Sequence, residues 1–277
     1  MERFSISWLV SSMSSASTII DDFIVLGRGC PEEISDGRRA ICTAGYSHTL
    51  GFIRIYPTRW DSPLRRWNIV RVPVERPITP RYNGRSESWK IIGSRREWDR
   101  LSEKIEVIDK YPRKDQPALI AKLEDNCVQD IYESGRSLGI IRPQILEHYF
   151  KKQEDVRTFT QQTLDTTFHV KVKDEFPIEP RVRYKCSGCK VGRGFHDQQI
   201  LEWEIYEWIR KNPDKAEQVW ENLRLDDPEY EKFFFVGNLY LYPTSFVVIS
   251  ILRFKKPLVN LSHNSKKSSL NMIFRKV

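Results

Sequence analysis

The stretch Gly51-Phe52-Ile53-Arg54-Ile55-Tyr56-Pro57 decides how this chain is read. A strand turns successive side chains to opposite faces, so Ile53 and Ile55 fill a core while Arg54 and Tyr56 stand together on the other face. A guanidinium beside a phenol on an exposed strand face is what a base-stacking platform requires. Working outward, residues 19–26, 39–44, 68–74 and 88–92 are further short runs rich in apolar and β-branched side chains, separated by Gly, Pro, Asp and Ser. Five such strands in so short a stretch predict a small barrel. Helices are predicted at 95–106 and at 117–133, where Leu119, Ile120, Leu123, Cys127 and Ile131 recur at helical spacing, making Cys127 a helix core residue.

After Gly135 the pattern restarts. Residues 138–145 read as a strand interrupted by Pro143, and 168–172 and 182–185 as further strands. Residues 233–236 and 246–254 form a pair joined through Gly237-Asn238 and Pro243-Thr244-Ser245. An insertion over 197–223 reads as a helical hairpin: Leu201, Ile205 and Trp208 share one face, Pro213 stops the run, and Asp214 with Glu217 suggests a capping box.

Residues 51–100 carry eleven arginines and Lys90 against Asp61, Glu75, Glu87, Glu97 and Asp99, with Trp60, Trp67, Trp89 and Trp98 interleaved. A guanidinium forks onto phosphate and stacks on a base or an indole, and a one-sided charge run recruits polyanions. The expected nucleic-acid contacts are Arg54, Tyr56, Arg59, Trp60, Arg65, Arg66, Arg81, Arg85, Trp89, Arg95 and Arg96, with a single strand or hybrid favoured over plain duplex. The competing reading has these arginines decorating ordinary strands and the tryptophans in the core. The formal net charge is +8 over 277 residues; residues 253–277 are basic with no acid, whereas 202–231 are acidic and suit either a solvated helix face or a protein partner.

Two segments, Arg38-Arg39-Ala40-Ile41-Cys42-Thr43-Ala44-Gly45 and the 51–57 strand, are together similar to the opening of the dual OB-fold (DuOB) proteins of prokaryotic conflict systems, and Ser137-Leu138-Gly139-Ile140-Ile141-Arg142-Pro143 resembles the strand that begins that family's second half. The resemblance implies a mainly β chain with α insertions, built as two tandem five-stranded OB-like barrels. It also implies a non-catalytic nucleic-acid-binding or sensing role as an accessory subunit beside a larger effector in antiviral defence. This chain departs from the family in the Pro31–Asp36 loop and the helical hairpin. The expected organisation is a disordered or mis-started leader over 1–18, an N-terminal barrel plus helices over 19–136, a C-terminal barrel with its insertion over 137–256, and a flexible basic tail over 257–277.

The sharpest chemical pattern is Cys186-Ser187-Gly188-Cys189 with His196 at the start of the hairpin. Such a turn grips zinc through two thiolates, and the Gly-rich 191–194 loop could bring in His196 as a third ligand. A fourth ligand could come through the fold from His169, Cys30, Cys42 or Asp197. An unmetallated pair at a barrel edge and a redox pair remain open. His196-Asp197, with Glu202 and Glu204, also raises a metal-dependent nuclease or nucleic-acid-modifying enzyme centred on Cys186, Cys189, His196, Asp197 and Glu204. Further metal ligands and an acid followed by Asp/Glu-x-Lys are missing, and Asp197 reads better as a helix cap. No phosphate-binding Gly-rich loop occurs. A protein-interaction scaffold is the third reading. Five cysteines, an odd number, speak against a disulfide framework and for a cytoplasmic setting; no apolar run reaches membrane-spanning length.

Overall fold

The computed structural model describes residues 17–77, 85–154 and 171–256. The basic tail, most of the leader, Arg81, His169 and most of the strand expected at 168–172 lie outside the described residues. The first half runs β1 (Ser17–Arg28), β2 (Glu32–Glu33), β3 (Arg39–Ser47), β4 (Gly51–Thr58), β5 (Asn68–Glu75) and β6 (Ser88–Ile91), then a 3-10 helix Arg95–Lys104 and β7 (Glu106–Lys110). β1 pairs with β3, β3 with β4, β4 in parallel with β6, β6 with β5, and β5 back with β1. That circuit closes a five-stranded barrel in which the expected strands all take part. β1 serves two neighbours because register shifts at Ile20/Phe23 and Val25/Gly27 bend it. Alternation does the rest: Val70, Val72 and Val74 of β5 are fully buried, as are Ile53 and Ile55 of β4.

The second half runs α1 (Gln116–Lys122), β8 (Glu124–Asp125), α2 (Val128–Glu133), β9 (Leu138–Ile141), β10 (Gln144–Lys152), β11 (Ile178–Lys185), β12 (His196–Gln199), α3 (Trp203–Lys211), α4 (Gln218–Leu223), β13 (Tyr230–Asn238) and β14 (Phe246–Lys255). The helix expected over 117–133 is two short helices with β8 between them, and β8 pairs in parallel with β9. The strand expected over 138–145 is split at Arg142-Pro143, where proline removes a donor. Instead of the expected second closed barrel, the described strands form a three-stranded sheet β10-β11-β12 and a four-stranded sheet β14-β13-β9-β8, joined by a single parallel bridge between Ile200 and Val248. The hairpin also starts later than expected: residues 196–199 are strand β12, and helix begins at Trp203. No helix among the described residues is long and apolar enough to cross a membrane.

The halves share a core. Ile24, Leu26 and Phe52 from the first pack with Leu138, Phe233 and Phe235 from the second, and the Phe52 and Phe235 rings stack at 5.9 Å. Gly27 of β1 lies so close to β14 that a Cβ there would sit 2.6 Å from the Ser250 Cβ, so only glycine permits this approach.

Candidate functional site

The arginine-rich strip has a different fate from the one its sequence suggests. Arg54 points away from the barrel interior as expected, yet it is 6% exposed, because the second half covers that face. Its guanidinium donates to the Ser137 carbonyl at 3.1 Å and to the Asn238 carbonyl at 3.3 Å. Gly237 leaves room for it, since a Cβ there would stand 3.0 Å from Arg54 Nη2. The reading of Arg54 as an exposed platform is therefore corrected: the residue is a buried pin. Tyr56 beside it is half-buried, and burial with the Glu32 carboxylate pushes its phenol well up. Arg66 reaches into the second half too, pairing with the buried Glu202 and, at 3.5 Å, with Glu204. Arg39 does the same with Glu175, and Arg28 with Glu204. Arg66 of the positive run, with Arg28 and Arg39 from before it, thus neutralises acids of the other half, while Arg59, Arg71, Lys90, Arg95 and Arg100 pair with acids of their own half.

The remaining expected contacts divide. Trp89 is buried in the barrel core with the Arg76 guanidinium over its ring at 3.6 Å, and Trp60 is half-buried against the second-half core. Arg59 pairs with Asp61 and Asp99. Arg65, Arg95 and Arg96 are exposed, Arg95 pairing with Asp36 at 2.7 Å.

A surface that the sequence reading passed over lies at the turn between β13 and β14. Tyr240, Leu241 and Tyr242 are 52%, 76% and 62% exposed. Asn238 holds the turn: its side-chain NH2 donates to the Pro243 carbonyl at 3.2 Å, and its side-chain oxygen accepts from Arg85 Nε at 2.9 Å. Arg85 Nη2 also donates to the Asn238 carbonyl at 2.6 Å, and the guanidinium lies 5.3 Å from the centre of the Tyr240 ring. An aromatic, an aliphatic and a second aromatic in a turn segment, where no core needs them, were the available signal.

The cysteines and His196 do converge. Cys127, Cys186 and His196 place their ligand atoms within 4.8 Å of one another, all buried. Cys127 Sγ is 3.7 Å and Cys189 Sγ 3.6 Å from His196 Nε2. Cys127 is at the N-cap of α2, not inside a helix as expected; its Sγ accepts from the Gln129 N–H at 3.5 Å, and the Gly188 N–H donates to the Asn126 carbonyl at 3.2 Å, docking the Cys-x-x-Cys turn on that cap. Burial and the Arg193 charge push the His196 imidazole down to about 4, which keeps the ring neutral and its lone pair available. Burial, reinforced by neighbouring cysteines, pushes the Cys186 thiol up.

The enzyme constellation does not assemble. Asp197 is on β12 next to His196, so the two side chains leave opposite faces of the strand. Rather than capping a helix, its carboxylate accepts from Arg181 and Arg183, each at 3.0 Å, and from the Tyr149 hydroxyl. Burial opposes that charge, but these donors outweigh it and hold the carboxyl below its usual range. Glu202 is fully committed, taking the Arg66 guanidinium and the Ile251 N–H. It lines, with Glu204, Trp67, Trp208 and Arg253, a cleft of about 490 Å³. Among the described residues, no other group of three His, Cys, Asp or Glu side chains is placed to hold a metal.

Two family models match the chain, one described as Domain of unknown function (DUF8758) over residues 21–119 and one as Domain of unknown function (DUF8757) over residues 121–270. No curated protein and no solved structure matches.

Proposed function

We propose, for a chain that belongs to the DUF8757 family over more than half its length, a non-catalytic nucleic-acid-binding or sensing role in which a single strand or hybrid is stacked on the Tyr240–Tyr242 turn. The observation that carries this reading is the pair of exposed tyrosines in one turn, Tyr240 with the Arg85 guanidinium 5.3 Å from its ring centre. A base stacks on a phenol ring, each stacked base contributing about 1–3 kcal/mol, and the positive charge of Arg85 beside Tyr240 adds a field that favours a polyanion.

The strand order supports it. In the first half the circuit is β1-β3-β4-β6-β5, its third and fourth members, β4 and β6, parallel, an OB-like arrangement. The second half repeats it if β9 and β10 count as one strand bent at Arg142-Pro143. The circuit is then β9/β10-β11-β12-β14-β13 and back to β9, its third and fourth members, β12 and β14, touching through the parallel Ile200–Val248 bridge. On this reading the chain is two OB-like barrels, as in the dual OB-fold proteins it resembles. The β13–β14 turn is then the loop between the fourth and fifth strands, one of the loops with which such barrels bind oligonucleotides. A module of this kind acts beside a larger effector, in keeping with an accessory subunit of a prokaryotic defence complex.

Leu241, which base stacking does not require, favours a second reading, in which the turn docks a partner protein. Fluorescence anisotropy with labelled single-stranded RNA, single-stranded DNA and hybrid at two salt concentrations separates them. Binding that falls steeply with salt is expected, because each neutralised phosphate releases counterions. No binding of any probe at low salt sinks the nucleic-acid reading and leaves the docking surface.

A further inference from the structure

We propose that Cys127, Cys186, Cys189 and His196 hold one structural zinc ion, with Cys127 as the ligand that completes the set. This site is independent of the nucleic-acid surface. With Zn–S bonds of about 2.3 Å and Zn–N of about 2.0–2.1 Å, a tetrahedral centre has S···N edges of roughly 3.5–3.6 Å. The two sulfurs nearest His196 Nε2 stand at 3.6 and 3.7 Å. One imidazole nitrogen has a single proton or a single lone pair, so it cannot satisfy two thiols by hydrogen bonding; a cation between them satisfies all three. Cys186 lies within 4.8 Å of both Cys127 and His196, and Cys189, outside that mutually close group, joins it through its contact with His196.

The surroundings fit a thiolate centre. The Gln129 N–H points at Cys127 Sγ, as a donor to a negatively charged sulfur would. The His196 ring stacks on the buried Tyr184, centroids 5.2 Å apart, which fixes its orientation. Three thiolates and an imidazole form a soft, closed donor set that leaves no position for water, the signature of a structural rather than a catalytic zinc. Binding releases three thiol protons to solvent, the neutral imidazole ligating through Nε2. The ion ties the N-cap of α2 to the end of β11 and the start of β12, across 69 positions of sequence. It thereby fastens the three-stranded sheet to the sheet that carries α2, at a distance along the strands from the Ile200–Val248 bridge.

Elemental analysis of the purified full-length chain, under reducing conditions, should give one zinc per molecule, and cobalt exchanged into the site should show tetrahedral d–d bands with thiolate charge transfer. Cys127→Ser should lose zinc and lower Tm. Cys127→His, which restores a ligand, should recover most of the occupancy, and Cys30→Ser, a buried cysteine outside the cluster, should keep full zinc. A wild-type chain free of zinc and unchanged in Tm by a chelator overturns the site, as does a Cys186–Cys189 disulfide or the absorbance of an iron–sulfur cluster. Undiminished zinc in Cys127→Ser overturns the four-ligand assignment. If Cys127→Ser fails to fold, the cobalt spectrum of the wild type decides by itself: charge transfer from three thiolates supports the set, from two rejects it.

Discussion

Arg54 Nη2 donates to the Ser137 carbonyl at 3.1 Å, joining the third strand of the barrel to the first residue before β9, 83 positions away. The Ser137 N–H and hydroxyl in turn donate to the Glu87 carboxylate at 2.7 and 3.0 Å. Arg54, Glu87, Ser137 and Asn238 are all buried, so the seam between the halves carries a buried polar network. Away from water each of its hydrogen bonds is electrostatically stronger than at the surface.

Arg54→Ala is therefore expected to act on stability. It strips the Ser137 and Asn238 carbonyls of a charged donor and leaves them the Asn238 N–H and the Arg85 guanidinium, a loss of about 1.5–3 kcal/mol by the worth of a hydrogen bond to a charged group. Urea denaturation should show a lowered midpoint. A variant as stable as the wild type but weaker in binding oligonucleotides would return Arg54 to a surface role.

At the β13–β14 turn the expectation is reversed. Tyr240→Ala and Tyr242→Ala remove exposed rings that support no core, so Tm should hold within experimental error. Affinity for a labelled single strand should fall by about 5- to 140-fold for each, the equivalent of about 1–3 kcal/mol per stacked base. Anisotropy titrations at one salt concentration read this out; unchanged affinity in the double variant removes the turn from the binding surface.

Catalysis is not expected. Incubated with single- and double-stranded DNA and RNA plus magnesium, manganese or zinc, the chain should leave them intact, because the Asp197 carboxylate is held by Arg181, Arg183 and Tyr149. Cleavage abolished by Asp197→Asn and visible on a denaturing gel would establish the enzyme instead.

Acid should loosen the 3-10 helix Arg95–Lys104 late. The Ser94 N–H, at 2.8 Å, and the Lys104 ammonium, at 3.0 Å, hold the Glu97 carboxyl down at about 2. A carboxyl whose folded value lies below its unfolded value of about 4.3 supports the fold fully above that pH, and the support drains away as pH falls towards about 2. A carbon-13 NMR titration of the Glu97 carboxyl should give a midpoint near 2, raised in Lys104→Ala. A wild-type midpoint at the ordinary glutamate value contradicts the capping interaction.

The sequence by itself determined many of the strands, though not β7, β8, β12 or most of β10. Those of the first barrel and the β13–β14 pair were legible because alternation, β-branching and Gly/Pro punctuation act over a few residues. The inward position of Ile53 and Ile55, and hence the outward one of Arg54, followed from the same two-residue period. The Cys186–Cys189 turn and His196 were legible through their short spacing. Tertiary structure alone decided what covers each outward face. Arg54 is buried because residues 137 and 238 close over it, Arg66 is paired because Glu202 arrives from a helix start far along the chain, and Cys127 meets the other cysteines only because α2 docks on their turn. A local pattern records which way a side chain points, but solvent, salt bridge or cluster at the end of that direction is set by contacts between segments tens to hundreds of positions apart, which no window of sequence contains.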